Sequence, residues 1–247
     1  MGDVLKRGSG GARVRRLRRL LAKRGYPLAS GNRFDLATER AVKAFQSQNL
    51  DQHGQPLVVD GRVGPLTWWS LEHPKPRIDT PSAVDFTRMP RGGSRAGRLA
   101  LAAAIGELSA GAGEIGGDNR GPFVRKYLNG LAPEGSSWCA GFVSWCYHRA
   151  KDRGARFEYT VGARALLADL KRRGWAHAPG SGYAPMPGDV VVWWRVRAEG
   201  WQGHAGLVHQ VRDGMLYTIE GNKSPRVQGF SYVASRMERL LGFGHVP

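Results

Sequence analysis

Two residues stand where nucleophilic chemistry could be built. Cys139, in SSWCAGFVSWC, falls at the head of a predicted helix, and His204, in GHAGLV, falls at the head of a predicted strand. Unpaired amides and the helix dipole at a helix N-terminus favour a thiolate, which suits a cysteine there to attack on a carbonyl. Cys146 lies deeper in the same segment, among Phe142, Val143 and Trp145, and reads as a small buried hydrophobe. Helical rise separates the two cysteines by about 10 Å, beyond the reach of a disulfide, so both are expected as free thiols. Among the 7 histidines, only His204 follows a glycine where a strand begins. Strand alternation sets His204, Gly206 and Val208 on one face and Leu207, His209 and Val211 on the other. A histidine acting as base for a thiol must itself be held by an acceptor on its second ring nitrogen. TIEGN offers Glu220 and Asn222, two residues apart at a strand end, and either could orient His204. Cysteine, histidine, then carboxylate or amide is the order required for acyl transfer through a thioester.

Zinc hydrolysis would need two histidines and a third ligand in one cluster. No HExxH-type spacing occurs, and alternation separates His204 from His209, so no metal and no cofactor are expected. GDNRG, residues 117–121, lacks the alternating acidic ligands of a calcium loop and reads as a turn.

The elements that must hold these residues fall into two groups. Downstream, helices are expected at about 98–109, at 138–150 with Ser136 or Ser137 as N-cap, and at about 162–173. The runs GDVVVWWRV, HAGLVHQV and MLYTIEGN then read as an antiparallel sheet. Helices first and strands afterwards indicate an α+β domain over residues 99–247. Upstream, Val14, Leu17, Leu20 and Leu21 share one side of a helix whose other positions hold Arg13, Arg15, Arg16, Arg18, Arg19, Lys23 and Arg24. A second helix is signalled by Thr38 as N-cap with Ala41, Val42 and Phe45 buried, and a third starts near Thr67. Residues 1–72 are thus expected as a small three-helix bundle. Four prolines and Gly92-Gly93 mark residues 73–98 as an exposed linker.

The upstream blocks resemble a family of peptidoglycan-binding modules. Gly8-Ser9-Gly10, Gly25-Tyr26, Ala41-Val42 with Phe45-Gln46, and Asp60-Gly61 with Gly64-Pro65, Thr67 and Trp68 carry the likeness over roughly residues 3–72. GNRFD (31–35) stands where the family has a DGxFG turn, and DQHGQP (51–56) is inserted before the next one. The resemblance implies wall contacts at Tyr26, Asp60, Arg62, Thr67 and Trp68. Downstream, SSWCAGFVSWC, PGDVVVWW, GHAGLV and IEGN occur in the order and spacing of the CHAP family of cysteine amidases and peptidases, whose fold is papain-like. That resemblance covers about residues 100–246. It implies Cys139 as nucleophile, His204 as base and later acid, Glu220 as the residue orienting His204 and Asn222 as an auxiliary polar group, with the last two roles exchangeable. Trp138 and Trp201 are candidates to shape a substrate groove beside these blocks.

Composition narrows the partners. The chain of 247 residues carries 37 Lys and Arg against 20 Asp and Glu, a net charge of +17. Anionic partners follow: nucleic acid, an acidic membrane surface or a cell-wall polymer. Residues 1–24 hold 9 basic side chains and 1 acidic one, so the charge is concentrated in the first helix. It is expected to attract anionic wall polymer or lipopolysaccharide, whereas the hydrolase blocks argue against nucleic acid. No apolar run approaches the ~20 residues of a membrane-spanning helix. MGDVLKRGSG lacks an apolar signal core, so the protein is expected to be held in a cytoplasm and to act in the periplasm or cell wall after release. The combined expectation is a monomeric peptidoglycan hydrolase, most simply a phage endolysin. The alternatives are a secretion-delivered toxin of the same chemistry or a basic nucleic-acid-binding protein.

Overall fold

The computed structural model describes residues 4–24, 26, 28–49, 51–52, 57–73, 84–149, 157–195, 197–223, 225–237 and 239–247. Gly25 of the Gly25-Tyr26 pair, residues 53–56 of the insertion, residues 74–83 of the expected linker and Ala150 lie outside them. The chain divides into two compact units, Met1–Ala83 and Val84–Pro247.

In the first unit, α1 (Ala12–Lys23), α2 (Leu36–Gln48) and α3 (Pro65–Glu72) enclose a core of Val14, Leu17, Leu21, Phe34, Val42, Phe45, Val63 and Leu71. The apolar stripe read from α1 faces this core. Two expectations change. Asp35, not Thr38, caps α2: its side chain accepts the Thr38 N–H at 2.8 Å. Nor does Arg18 belong to a solvated basic face, being 7% exposed. Its guanidinium donates to the carbonyls of Ala29 (2.8 Å) and Arg33 (2.9 Å), to Asp35 Oδ2 (3.0 Å) and to Thr38 Oγ1 (2.6 Å). Arg24 likewise donates to the Leu71 carbonyl at 2.6 Å. Periodicity marks both as exposed, because it cannot register that a long cationic stem crosses the bundle to unpaired carbonyls.

The second unit is α+β. Helices α4 (Arg95–Ser109), α5 (Pro122–Leu128), α6 (Cys139–Arg149) and α7 (Ala163–Arg172) precede strands β1 (Ala176–His177), β2 (Val190–Trp194), β3 (Gly203–Arg212), β4 (Met215–Glu220), β5 (Gln228–Val233) and β6 (Leu240–Gly244). The strands form one antiparallel sheet in the order β1-β6-β2-β3-β4-β5. Val190, Val192, Ala205, Leu207 and Ile219 join a core with Leu101, Phe142, Val143, Leu166 and Leu170 from the helices. Val191, Trp193, Val208, Leu216, Phe230 and Tyr232 form a second cluster on the other side of the strands.

The expected linker also needs correction. Residues from Val84 onward belong to the second unit, where the Phe86 ring lies 5.2 Å from His209 and 6.2 Å from Tyr217. Ser94 caps α4 by accepting the Gly97 N–H at 2.9 Å, which starts that helix three residues before the expected Arg98. Phe86 and Met89 provide the apolar contacts that a count of prolines and glycines overlooks. No described helix is long and apolar enough to cross a membrane.

Arg18→Ala leaves two carbonyls, a hydroxyl and a carboxylate without their donor. It is expected to destabilise the first unit by about 2–4 kcal/mol, against about 0.5 kcal/mol or less for the exposed Arg15→Ala. Thermal unfolding of the full chain followed by circular dichroism checks this; equal effects would contradict the role given to Arg18.

Candidate active site

Cys139 is the first residue of α6 and is 4% exposed. Trp138, rather than Ser136 or Ser137, takes the position before the helix: its carbonyl accepts the Phe142 N–H at 2.8 Å. Its own N–H donates to Asn222 Oδ1 at 2.9 Å. The start of the helix is thereby tied to the end of β4.

His204 sits on β3 opposite Trp193 of β2, and their rings stack with centroids 5.7 Å apart. Its Nε2 meets Glu220 Oε2 at 2.7 Å. A carboxylate can only accept, so Nε2 carries the proton and Nδ1 is the nitrogen left for the thiol. Burial by itself would push the Cys139 thiol up. The positive charge of His204, a hydrogen bond with that ring, the Ala205 backbone N–H and the charge of Arg195 outweigh it, and the thiol lies below its ordinary value. At Cys146 the Lys126 charge does not offset burial and the charge of Glu107, and the thiol is pushed well up; both cysteines are free.

Glu220 has no solvent exposure. Its Oε1 accepts from Thr218 Oγ1 at 2.6 Å and from the Tyr232 hydroxyl at 2.5 Å, and Lys223 Nζ lies 3.8 Å from Oε2. Desolvation alone would raise its pKa. The Lys223 charge and the hydrogen bonds from His204 and Thr218 reverse that and hold it down to about 2, so the group is an anion at neutral pH. Gly206 makes room for it: in the β3–β4 register it lies across from Glu220, and a Cβ there would come within 2.6 Å of Glu220 Cγ.

Of the four residues expected to carry chemistry, the geometry therefore joins Cys139, His204 and Glu220 in one line. Asn222 stands aside from His204. It adopts a left-handed backbone at φ +60°, accepts the Trp138 N–H and donates to Asn119 Oδ1. The GDNRG segment is thus more than a turn, because its Asn119 holds Asn222. Trp138 is not a groove residue. It is fully buried, stacked on Tyr127 at 5.2 Å, with Nε1 donating to Glu114 at 3.1 Å. Trp201 is 83% exposed on the β2–β3 connection, three residues before His204.

Sequence reasoning did not name Thr218, Lys223, Tyr232, Glu114 or Arg195. Thr218 shares the Glu220 face of β4 by simple alternation and was within reach of the sequence. Tyr232 becomes visible only through the β4–β5 pairing, and Lys223 is hidden by the expectation that lysines are exposed. Among the described residues, no three His, Cys, Asp or Glu side chains converge on a point that could hold a metal.

In the first unit Thr67 is buried, and its hydroxyl accepts from Gln46 Nε2 at 3.2 Å, so it braces a turn instead of offering a contact. Asp60 Oδ1 accepts from Gln46 Nε2 (2.9 Å) and from the Arg62 N–H (2.8 Å), shaping the same turn while remaining at the surface with Arg62. Tyr26 packs edge-on against Phe45 at 5.8 Å. Trp68 is half-buried, with the guanidinium groups of Arg13 and Arg16 5.7 and 6.0 Å from its ring centroid.

Comparison with protein families accounts for this pairing of units. The CHAP domain family matches residues 132–222, and a family described as a putative peptidoglycan binding domain matches residues 10–71. The chain contains a CHAP domain. The CHAP match spans Cys139, His204, Glu220 and Asn222 and stops one residue short of Lys223. Neither the curated proteins nor the solved structures yielded a match. A CHAP domain together with a peptidoglycan-binding domain supports peptidoglycan hydrolysis, with peptidoglycan as the substrate.

The contrast between the two cysteines of the CHAP domain can be tested without substrate. At neutral pH iodoacetamide is expected to modify Cys139 at least about 100-fold faster than Cys146. Peptide mass mapping reads the ratio, and comparable rates would contradict the thiolate character given to Cys139.

Proposed function

We propose that the protein cleaves an amide bond of peptidoglycan through a Cys139 thioester, as an endolysin-type cysteine amidase or endopeptidase. The observation that carries this reading is the 2.7 Å contact between His204 Nε2 and an ionised, fully buried Glu220, which leaves the other face of the imidazole to Cys139.

The chemistry follows from that arrangement. The Cys139 thiolate attacks the amide carbonyl carbon, and the carbonyl oxygen takes up negative charge. The Cys139 backbone N–H, in the first turn of α6 where no intrahelical carbonyl reaches it, is one donor suited to that oxyanion. His204, protonated at Nδ1, gives its proton to the leaving amine as the carbon–nitrogen bond breaks and a thioester forms. It then takes a proton from water, which attacks the thioester and releases the acid and the Cys139 thiolate. Glu220 keeps the ring oriented throughout and stabilises its charged form. Asn222, by holding the Trp138 N–H, fixes where α6 begins and so where the sulfur lies. Trp201, exposed close to His204 in sequence, is suited to stack on the substrate.

The first unit would hold the enzyme on the wall. The exposed arginines Arg15 and Arg19 of α1 support an added electrostatic attraction to anionic envelope polymer, which salt would weaken. Arg18 takes no part in it.

Cys139→Ala is expected to abolish clearing of isolated peptidoglycan while leaving its binding unchanged. Glu220→Gln should lower kcat/KM about 10²- to 10⁴-fold, and Asn222→Ala by less. Mass spectrometry of digested muropeptides would divide the two activities: a free lactyl group indicates amidase action, and a new stem or bridge amine indicates endopeptidase action. Undiminished clearing by Cys139→Ala would overturn the reading.

A further inference from the structure

A buried lysine remains that the chemistry above does not use. Lys223 is 4% exposed, on the turn that follows β4, and lies outside the segment matched to the CHAP family. Its ammonium sits 4.1 Å from the Phe230 ring centroid and 4.4 Å from that of Tyr232. It donates to the Tyr232 hydroxyl, which donates in turn to Glu220 Oε1, and it lies 3.8 Å from Glu220 Oε2. Taking an ammonium out of water is costly, so a lysine in such a place has to be compensated. Glu220 from β4 and the two aromatic faces from β5 provide that compensation. Every acceptor position of Glu220 is then occupied by Thr218, Tyr232, His204 or the lysine charge.

We propose that Lys223 is a positioning residue that keeps Glu220 an anion aimed at His204, and so keeps His204 turned with Nδ1 toward Cys139. The inference rests on the roles given above to Cys139, His204 and Glu220. Without Lys223, the buried carboxylate loses the largest charge that holds it ionised. The carboxyl then takes up a proton more readily, which weakens its grip on the ring and its support for the ring's positive charge. The charged and titratable groups facing this centre are His204 on β3, Glu220 on β4, Tyr232 on β5 and Arg195 beyond β2; the last lowers both Cys139 and Lys223 by its charge. Burial, set against the attraction of Glu220, brings Lys223 itself down to about 8, so most of its charge is present at neutral pH and is lost in mild alkali.

The test is a double-variant cycle on the full chain, read by Cys139 alkylation against pH and by peptidoglycan turnover. Lys223→Met should move the pH midpoint of Cys139 alkylation up by about one unit and lower kcat about 10- to 100-fold with little change in KM. In the Glu220→Gln background the same substitution should add almost nothing, because the anion it serves is gone. The double variant, which removes both buried charges, should melt no lower than Lys223→Met alone. Independent, multiplying losses, or an alkylation profile that Lys223→Met leaves in place, would overturn the proposal. If Lys223→Met does not fold, the double variant decides. A folded double variant with the alkylation profile of Glu220→Gln supports the charge pairing, and an unfolded one shows that Lys223 serves the fold instead. Alkylation needs no peptidoglycan, so a shifted profile in a protein inactive on cell walls would leave this inference standing while refuting the proposed substrate.

Discussion

A carboxylate removed from water must be ionised at a cost and then satisfied at every lone pair, or it takes up a proton and loses its use. Glu220 meets that demand in the interior of the sheet, and its 2.7 Å contact with His204 is what the surrounding structure is arranged to permit. Residues from three consecutive strands supply it: His204 from β3, Thr218 from β4 itself and Tyr232 from β5, with Lys223 from the turn beyond. The register Leu207↔Ile219 puts Gly206 across from Glu220, and the missing side chain there is the space through which the carboxylate reaches the imidazole. A sheet slipped by one residue would turn Glu220 toward the helices and dismantle the site.

The second constraint concerns α6, because a thiol becomes a nucleophile only at the right distance from its base. Asn222 and Glu114 both hold Trp138, one through the backbone N–H and the other through the indole N–H. Gly221 lies so close to the indole that a Cβ would come within 2.3 Å of Cζ3. The end of β4 therefore controls two things at once: Glu220 orients the histidine, and Gly221 with Asn222 seats the residue before the cysteine. Three adjacent residues coordinate both halves of the site.

Much of this was legible in the sequence, for physical reasons that differ between residues. Cys139 and His204 could be read because helix starts and strand starts leave local signals, and period-two alternation correctly separated His204 from His209. Spacing places Glu220 and Asn222 at one strand end without saying which one meets a third residue; only the resemblance gives Glu220 the orienting role, with the two exchangeable. Motif position does not reveal burial, so Trp138 and Thr67 look like contacts in the sequence and are buried in the fold. Tyr232 and Lys223 depend on strand pairing and on an exceptional buried charge, which no local pattern encodes. In the first unit the helices followed from periodicity, while Arg18 did not: its partners lie 11 to 20 residues away.

The two units differ in how they carry charge. The first has the basic α1 and the match to a putative peptidoglycan binding domain, and the second has a site whose buried charges compensate one another. The account stands on Cys139 being the nucleophile that the Glu220-held histidine activates. Its most direct test is to titrate the enzyme with iodoacetamide and follow peptidoglycan turnover and Cys139 modification together. Activity should fall one for one with the fraction of Cys139 alkylated, while Cys146 stays unmodified. Full turnover by protein alkylated at Cys139 would contradict it.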